Sequence, residues 1–304
     1  MKQMVPAIPR AYVANFNSDT ISVIDTLAKT VIATIPVGDL PSGVAVDPTR
    51  ARAYVANQGS DTVSVIDTGT NTVTATIPIG AGNVPSGVAL DPTRARAYVT
   101  NQRSDTVSVI DTGTNAVTAT ISVGAGNMPF GVAVDSTKAR AYVANHDTVG
   151  TVSVIDTNTN AVTATIALTD DAIGVDADPI RAFLYATNLS ANLVSVIDLS
   201  TNTVLTTVPV AAPFGVAVDP FRARAYVAGI TSDSVSVIDT NTNAVTATIS
   251  VGSFPFEVAV DLTWDRVYVT NGADSTVSVI DTGTNAVTAT IPGLGAFPGA
   301  VSVG

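Results

Sequence analysis

Short stretches in which apolar and polar residues alternate follow one another along the whole chain, broken by clusters of Gly, Asn, Asp, Thr and Pro. A period of two is the signature of a strand with one buried face, and those breakers are turn formers. One unit illustrates the pattern. "SGVAVD" (Ser42 to Asp47) reads as strand A, followed by a "PTR" turn and then strand B, "ARAYVAN" (Ala51 to Asn57). After the "QGSD" loop comes strand C, "TVSVID" (Thr62 to Asp67), then "TGTN", then strand D, "TVTATIPI" (Thr72 to Ile79). Strand D alternates Val, Ala and Ile with Thr, as an outer strand with one wet face should.

The same unit recurs. A "YVAN"-like tetrad begins at Tyr12, Tyr54, Tyr98, Tyr142, Tyr185, Tyr226 and Tyr268, in steps of 41 to 44 residues. Four strands per period of this length predict an all-β, seven-bladed β-propeller of four-stranded antiparallel blades. The chain enters on strand B ("RAYVAN", Arg10 to Asn15) and leaves on an A-like strand ("FPGAVSV", Phe297 to Val303). One blade must therefore combine strands B to D from the N-terminus with strand A from the C-terminus, closing the ring and leaving no free edge. The reading is a single domain over 1–304, with blades at about 41–79, 85–123, 129–167, 173–210, 213–251, 255–292, and 297–304 plus 10–37.

The "YVTN" tetrads at Tyr98 and Tyr268, with "VSVIDT" shortly after each, resemble the YVTN-repeat β-propeller family over nearly the whole chain. That resemblance implies the same seven-bladed fold and a bacterial or archaeal surface or exported protein. Related propellers include lactonase-like proteins and streptogramin B lyases, so the fold does not select an activity.

Composition narrows the partners. Hydrophobic residues make up 46% and charged residues 13%, with a net charge of −11. That charge argues against nucleic acid or an anionic membrane as partner. No apolar run approaches the roughly 18 residues that span a bilayer, so no membrane insertion is expected. The absence of cysteine removes disulfides, thiolate catalysis and thiolate metal sites. It also fits an extracytoplasmic protein, at the cell surface, secreted or periplasmic, although a cytoplasmic protein can equally lack cysteine. "MKQMVPAIPR" contains no apolar signal core, so on that reading any signal peptide is absent from this sequence. A monomer is expected.

Charge is distributed unevenly between the two faces. Eleven of the fourteen Lys and Arg lie in the A–B connections, beside Asp47 and its equivalents, and read as scaffold ion pairs. The opposite, top face carries the B–C and D–A loops. It holds ten acids, Asp19, Asp39, Asp61, Asp105, Asp147, Asp170, Asp171, Asp233, Glu257 and Asp274, against one fixed cation, Arg103. Such a face should attract cations or cationic ligands. The Asp of each "SDT" turn also reads simply as a turn-capping residue.

In a repeat scaffold, function is sought where units depart from consensus on one face. The B–C loop "NHDTVG" gains a residue and contains His146, the only histidine, together with Asp147. The following D–A loop becomes "ALTDDAIG", with Asp170 and Asp171, and Asp176 replaces the Ala found at Ala45, Ala89, Ala133 and Ala217. A carboxylate in the innermost strand is costly if dry and must meet channel water or a partner. In "FPFEV", Glu257, the only glutamate, replaces the Gly of Gly43, Gly87, Gly131 and Gly215. Phe130, Phe214 and Phe256 stand where Ser42 and Ser86 stand in two other blades, forming either a pocket rim or a channel plug.

Three readings follow. Asp147, Asp170 and Asp171 offer hard oxygens for Ca²⁺ or Mg²⁺, though without EF-hand spacing. His146 and Glu257 are candidates for acid–base catalysis. In streptogramin B lyases a top-face histidine and an acid act with Mg²⁺, but this chain supplies one histidine where that pattern uses more. The third reading is repeat drift. The function expected overall is a non-catalytic binding or display propeller. It would use its acidic top face, with Arg103, Phe130, Phe214, Phe256 and Glu257, to bind a cation, small ligand or protein. The alternative is a metal-assisted lyase or lactonase-like enzyme at the same mouth.

Overall fold

The computed structural model describes residues 9–147 and 149–304. Among these, twenty-eight strands form seven four-stranded antiparallel sheets arranged in a ring, and no helix is long and apolar enough to cross a membrane. The all-β propeller expected from the repeat is what the chain forms. The innermost strands, A, are Pro41–Asp47, Pro85–Asp91, Pro129–Asp135, Val175–Asp178, Pro213–Asp219, Pro255–Asp261 and Pro298–Val303. The last of these pairs with Arg10–Asn15, so C-terminal strand A closes a sheet whose other strands come from the N-terminus.

Strand boundaries move by one residue from the sequence reading where backbone geometry intervenes. Strand B of the first complete unit begins at Arg52, because Ala51 adopts the left-handed region with φ 50° inside the A–B turn. Strand D ends at Pro78 rather than Ile79. Strand A of the fourth blade keeps only Val175–Asp178, because "TDDAIG" lacks the proline that opens this strand elsewhere.

The core lies between blades. Tyr12, Ile21, Val23 and Ile35 of the closing blade pack on Val44, Ala53, Val55 and Ile66 of the next. All seven tetrad tyrosines are fully buried. A buried Val or Ile contributes about 1.5–3 kcal/mol, so each seam is an apolar interface repeated around the ring. Polar latches hold the bottom of the seams. Arg52 Nη1 donates to the Thr112 carbonyl of the next blade at 2.7 Å, and Tyr54 Oη donates to the same carbonyl at 3.3 Å. Asp47 caps its turn through Thr49 and pairs with Arg50 at 3.0 Å. Burial pulls its carboxyl upward, but the hydrogen bonds from Thr49 and Arg50 outweigh this and hold it below the usual carboxylate range.

Candidate functional site

Every blade places its strand A against the central channel, so one residue per blade faces the mouth. Around the ring these are Ser42, Ser86, Phe130, Ile173, Phe214, Phe256 and Gly299. The mouth is therefore lopsided: large apolar side chains from four consecutive blades, small residues from the other three. Phe130 meets Phe214 edge-on at 5.8 Å, Phe214 lies 4.1 Å from Phe256, and Phe256 meets Phe297 at 6.0 Å. Phe254 extends the series through Phe297 at 5.6 Å. The two edge-on contacts are the arrangement that aromatic quadrupoles favour. Phe16, Ser42, Gln58 and Gly299 complete a cavity of about 270 Å³ over the four rings of Phe130, Phe214, Phe256 and Phe297. The phenylalanines thus form a pocket wall.

Beneath them runs the channel, about 390 Å³, which shares Ser42, Phe130, Phe214 and Phe256 with the upper cavity. Asp176 and Glu257 are the only ionisable side chains lining it among the described residues. They come from blades four and six and flank strand A of blade five. Asp176 Oδ2 accepts the Val218 N–H of that strand at 2.8 Å, and its Oδ1 accepts the Ala177 N–H at 2.9 Å. Ser302 occupies the same place in the closing blade and accepts the Val46 N–H at 3.2 Å. A polar side chain here therefore ties one innermost strand to the next.

Glu257 reaches the opposite edge of strand Pro213–Asp219. Its Oε1 accepts the Val258 N–H at 3.2 Å and lies where a Cβ on Gly215 would meet it at 2.4 Å. The glycine at this position lets the glutamate lie flat against its neighbour. Burial raises the Glu257 carboxyl to about 8, the Asp176 charge adding to the rise against the Val258 N–H. Burial likewise raises Asp176 to about 6, opposed by the N–H groups of Val218 and Ala177. Both carboxyls keep some accessible surface in the channel while protein encloses them otherwise.

The two irregular loops are coupled to each other. In "NQRSD" the turn residue Asp105 is left-handed, φ 56°, and its carboxylate accepts the Gly126 and Met128 N–H groups of the D–A loop, both at 2.8 Å. In "NHDTVG" the inserted residue delivers Gly150 to that left-handed position, φ 67°. Its missing side chain admits the Asp170 carbonyl, which a Cβ would meet at 1.7 Å. Asp147 turns inward and accepts the Val149 N–H at 2.9 Å and the Gly150 N–H at 2.5 Å. Asp170 accepts the Asp171 N–H, and Asp171 holds the Ser190 N–H at 3.1 Å and its hydroxyl at 3.2 Å.

Each candidate metal ligand thus carries a hydrogen bond from the loops themselves. Among the described residues no group of three His, Asp or Glu side chains converges as a metal site. His146 donates its backbone N–H to Met128 and lines neither cavity, so it is not brought together with Glu257. Arg103 is exposed and lines a separate groove with Val84, Gln102, Asp105, Gly126 and Met128. Of the expected ligand-binding residues, Phe130, Phe214, Phe256 and Glu257 meet at the channel and Arg103 does not.

Phe16, Phe297 and Gln58 escape the sequence reading as site residues, and Asp176 enters it without a site role. Phe16 and Gln58 are the first residues after strand B, a position otherwise held by Gln102, His146, Leu189, Ile230 and Gly272. Comparing that column would have singled out Phe16 and Gln58, the two of its members that line the mouth cavity. Phe297, which the sequence reading places at the start of the C-terminal strand A, lies just before it in the left-handed region, φ 54°, as Phe254 does in the preceding blade.

No protein-family model matches the chain, and no curated protein matches it. The likeness to YVTN repeats therefore rests on the repeated tetrads. Solved structures do resemble it. Hydrazine synthase of Kuenenia stuttgartiensis superposes with a TM-score of 0.82 at 20% identity, over 89% of this chain and 92% of that one. Dihydro-heme d1 dehydrogenase NirN, in complex with DHE, gives 0.69 at 16%, covering 93% of this chain and 63% of that one. Apo AztD from Citrobacter koseri gives 0.69 at 13% identity, over 97% of each chain. At these identities the likeness is one of fold: the chain is a seven-bladed β-propeller.

Proposed function

We propose that this propeller is a non-catalytic binding protein, working outside the cytoplasm, that receives a small-molecule ligand at the aromatic mouth of its channel. The observation that carries this reading is the arc of rings Phe130, Phe214, Phe256 and Phe297 around a concave cavity of about 270 Å³. Small-molecule sites are typically concave and mostly apolar, with a few placed polar groups. Here the polar groups are Ser42 and Gln58 at the rim and the two carboxyls below. A binding role is favoured over catalysis because the candidate base His146 and the candidate acid Glu257 share no cavity. The extracytoplasmic setting is supported by the resemblance of the repeated tetrads to surface and exported YVTN-repeat proteins.

Phe256→Ser tests the reading, since Ser already occupies this position in two blades as Ser42 and Ser86. Ligand-observed NMR with a panel of small aromatic compounds should find binders to the wild type that weaken about tenfold in the variant. Equal binding by both proteins would remove the mouth as the site.

A further inference from the structure

We propose that the ligand of this mouth is an amphipathic organic cation, an arylalkyl ammonium whose apolar part lies among the phenylalanines and whose charged head enters the channel toward Glu257 and Asp176. This rests on the mouth being the binding site, as proposed above, and adds the chemical class of what binds there.

Three features converge on that class. The wall of the upper cavity is made of aromatic rings, whose faces attract cations as well as apolar groups. The channel that opens beneath them contains two carboxyl side chains and, among its described lining residues, no Lys, Arg or His. The remaining channel wall is almost wholly Gly, Ala, Val, Leu, Ile and Ser, so a positive head has no competing counter-ion. An anionic ligand would meet an acidic face and then two acids. A neutral ligand would leave the carboxyls with backbone N–H partners and no counter-charge. The two cavities share Ser42, Phe130, Phe214 and Phe256 as lining residues, and Glu257 directly follows Phe256 in the chain, so ring and carboxyl are presented by adjacent residues.

The charge state makes the inference testable. The elements packed on strand Pro255–Asp261 are the strands Pro213–Asp219, Arg224–Gly229, Arg266–Asn271 and Pro298–Val303, and the charged Arg224 and Arg266 donate to the Thr282 and Thr26 carbonyls instead of lining the channel. Their channel-facing residues are uncharged, which leaves Asp176 as the other ionisable group in the cavity. Burial keeps Glu257 protonated near neutrality. A bound ammonium favours the carboxylate, so binding displaces a proton from Glu257 to solvent, and affinity should rise with pH until that carboxyl is ionised.

The experiment is isothermal titration calorimetry of the full chain with phenethylammonium and with its neutral counterpart 2-phenylethanol. Both are measured at about pH 6.5 and about pH 8.5, in two buffers of different ionisation enthalpy. The expected result is that phenethylammonium binds about tenfold more tightly than 2-phenylethanol at the higher pH. Its affinity should fall at the lower pH with proton release visible between buffers, and both effects should vanish in Glu257→Gln. Glu257→Gly, which restores the residue used in five other blades, is the second variant and should behave the same way. If 2-phenylethanol binds as well as phenethylammonium, and both depend on Phe256, the cation inference is overturned while the mouth remains the site. If phenethylammonium fails to bind, or binds equally well to Glu257→Gln and Glu257→Gly, the inference is likewise overturned.

Discussion

The carbonyl of Asp170 occupies the space that a side chain on Gly150 would fill: an added Cβ would lie 1.7 Å from that oxygen. The two most irregular loops of the repeat are therefore one feature. The extra residue in "NHDTVG" brings a glycine to the turn, and the neighbouring "TDDAIG" loop packs onto it.

Gly150→Ala should therefore destabilise the protein by roughly 2–4 kcal/mol, combining a backbone clash with left-handed strain. Gly82→Ala is the matched control. Its φ of 77° carries similar strain, but nothing lies within 4 Å of the new methyl, so about 1 kcal/mol is expected. Urea denaturation of both variants measures the difference, and equal losses would show that the loop contact is immaterial.

Stability should decline with pH above the acid range. Glu257 and Asp176 have native values raised to about 8 and about 6, whereas unfolded carboxyls titrate near 4. A raised native value means that the folded state holds the proton more tightly. That stabilisation is complete below about pH 4 and is lost as the pH climbs through about 6 and then about 8. The melting temperature should fall across this window, by roughly 2–4 °C for each kcal/mol lost. Glu257→Gln should flatten the upper part of the fall. A melting temperature that stays level from about pH 5 to about pH 9 in the wild type would contradict the assignment.

The bottom latches are unequal around the ring. Tyr54 Oη lies 3.3 Å from the Thr112 carbonyl and 3.2 Å from Asn115 Oδ1, whereas Tyr142 Oη has no hydrogen-bond partner among the described residues. Tyr54→Phe should cost about 1 kcal/mol, and Tyr142→Phe should be neutral or slightly stabilising, because it removes an unsatisfied buried hydroxyl. Differential scanning calorimetry decides between this ordering and its reverse.

Asp105 acts as a clamp between loops. Asp105→Ala should release the Gly126 and Met128 amides and raise their hydrogen-exchange rates without altering those of Ile110 in the buried strand below. The stability loss should be on the order of 1–2 kcal/mol, the value of two charge-assisted hydrogen bonds at a partly wet surface. Unchanged exchange at both amides would show that the carboxylate does not hold the loop.

Much of this was open to inspection in the residues themselves. The period of two within strands, the recurrence of the Tyr tetrads and the A-like C-terminal strand together determine seven blades and their closure, because strand pairing and turn chemistry are local and repeat with the chain. The departures at Asp176, Glu257 and the Phe positions were visible for the same reason, as breaks in a regular column. Only the tertiary structure decided which breaks meet. Blade five sets Asp176 and Glu257 on either side of one strand, although they belong to different repeats, and the ring carries Phe297 from beyond the last D strand onto Phe256. His146 and Arg103, equally conspicuous as residues, lie outside both the channel and the mouth cavity. Convergence in the channel depends on how blades stand around a common axis and where each side chain can rotate, and neither is encoded in the period of a single unit.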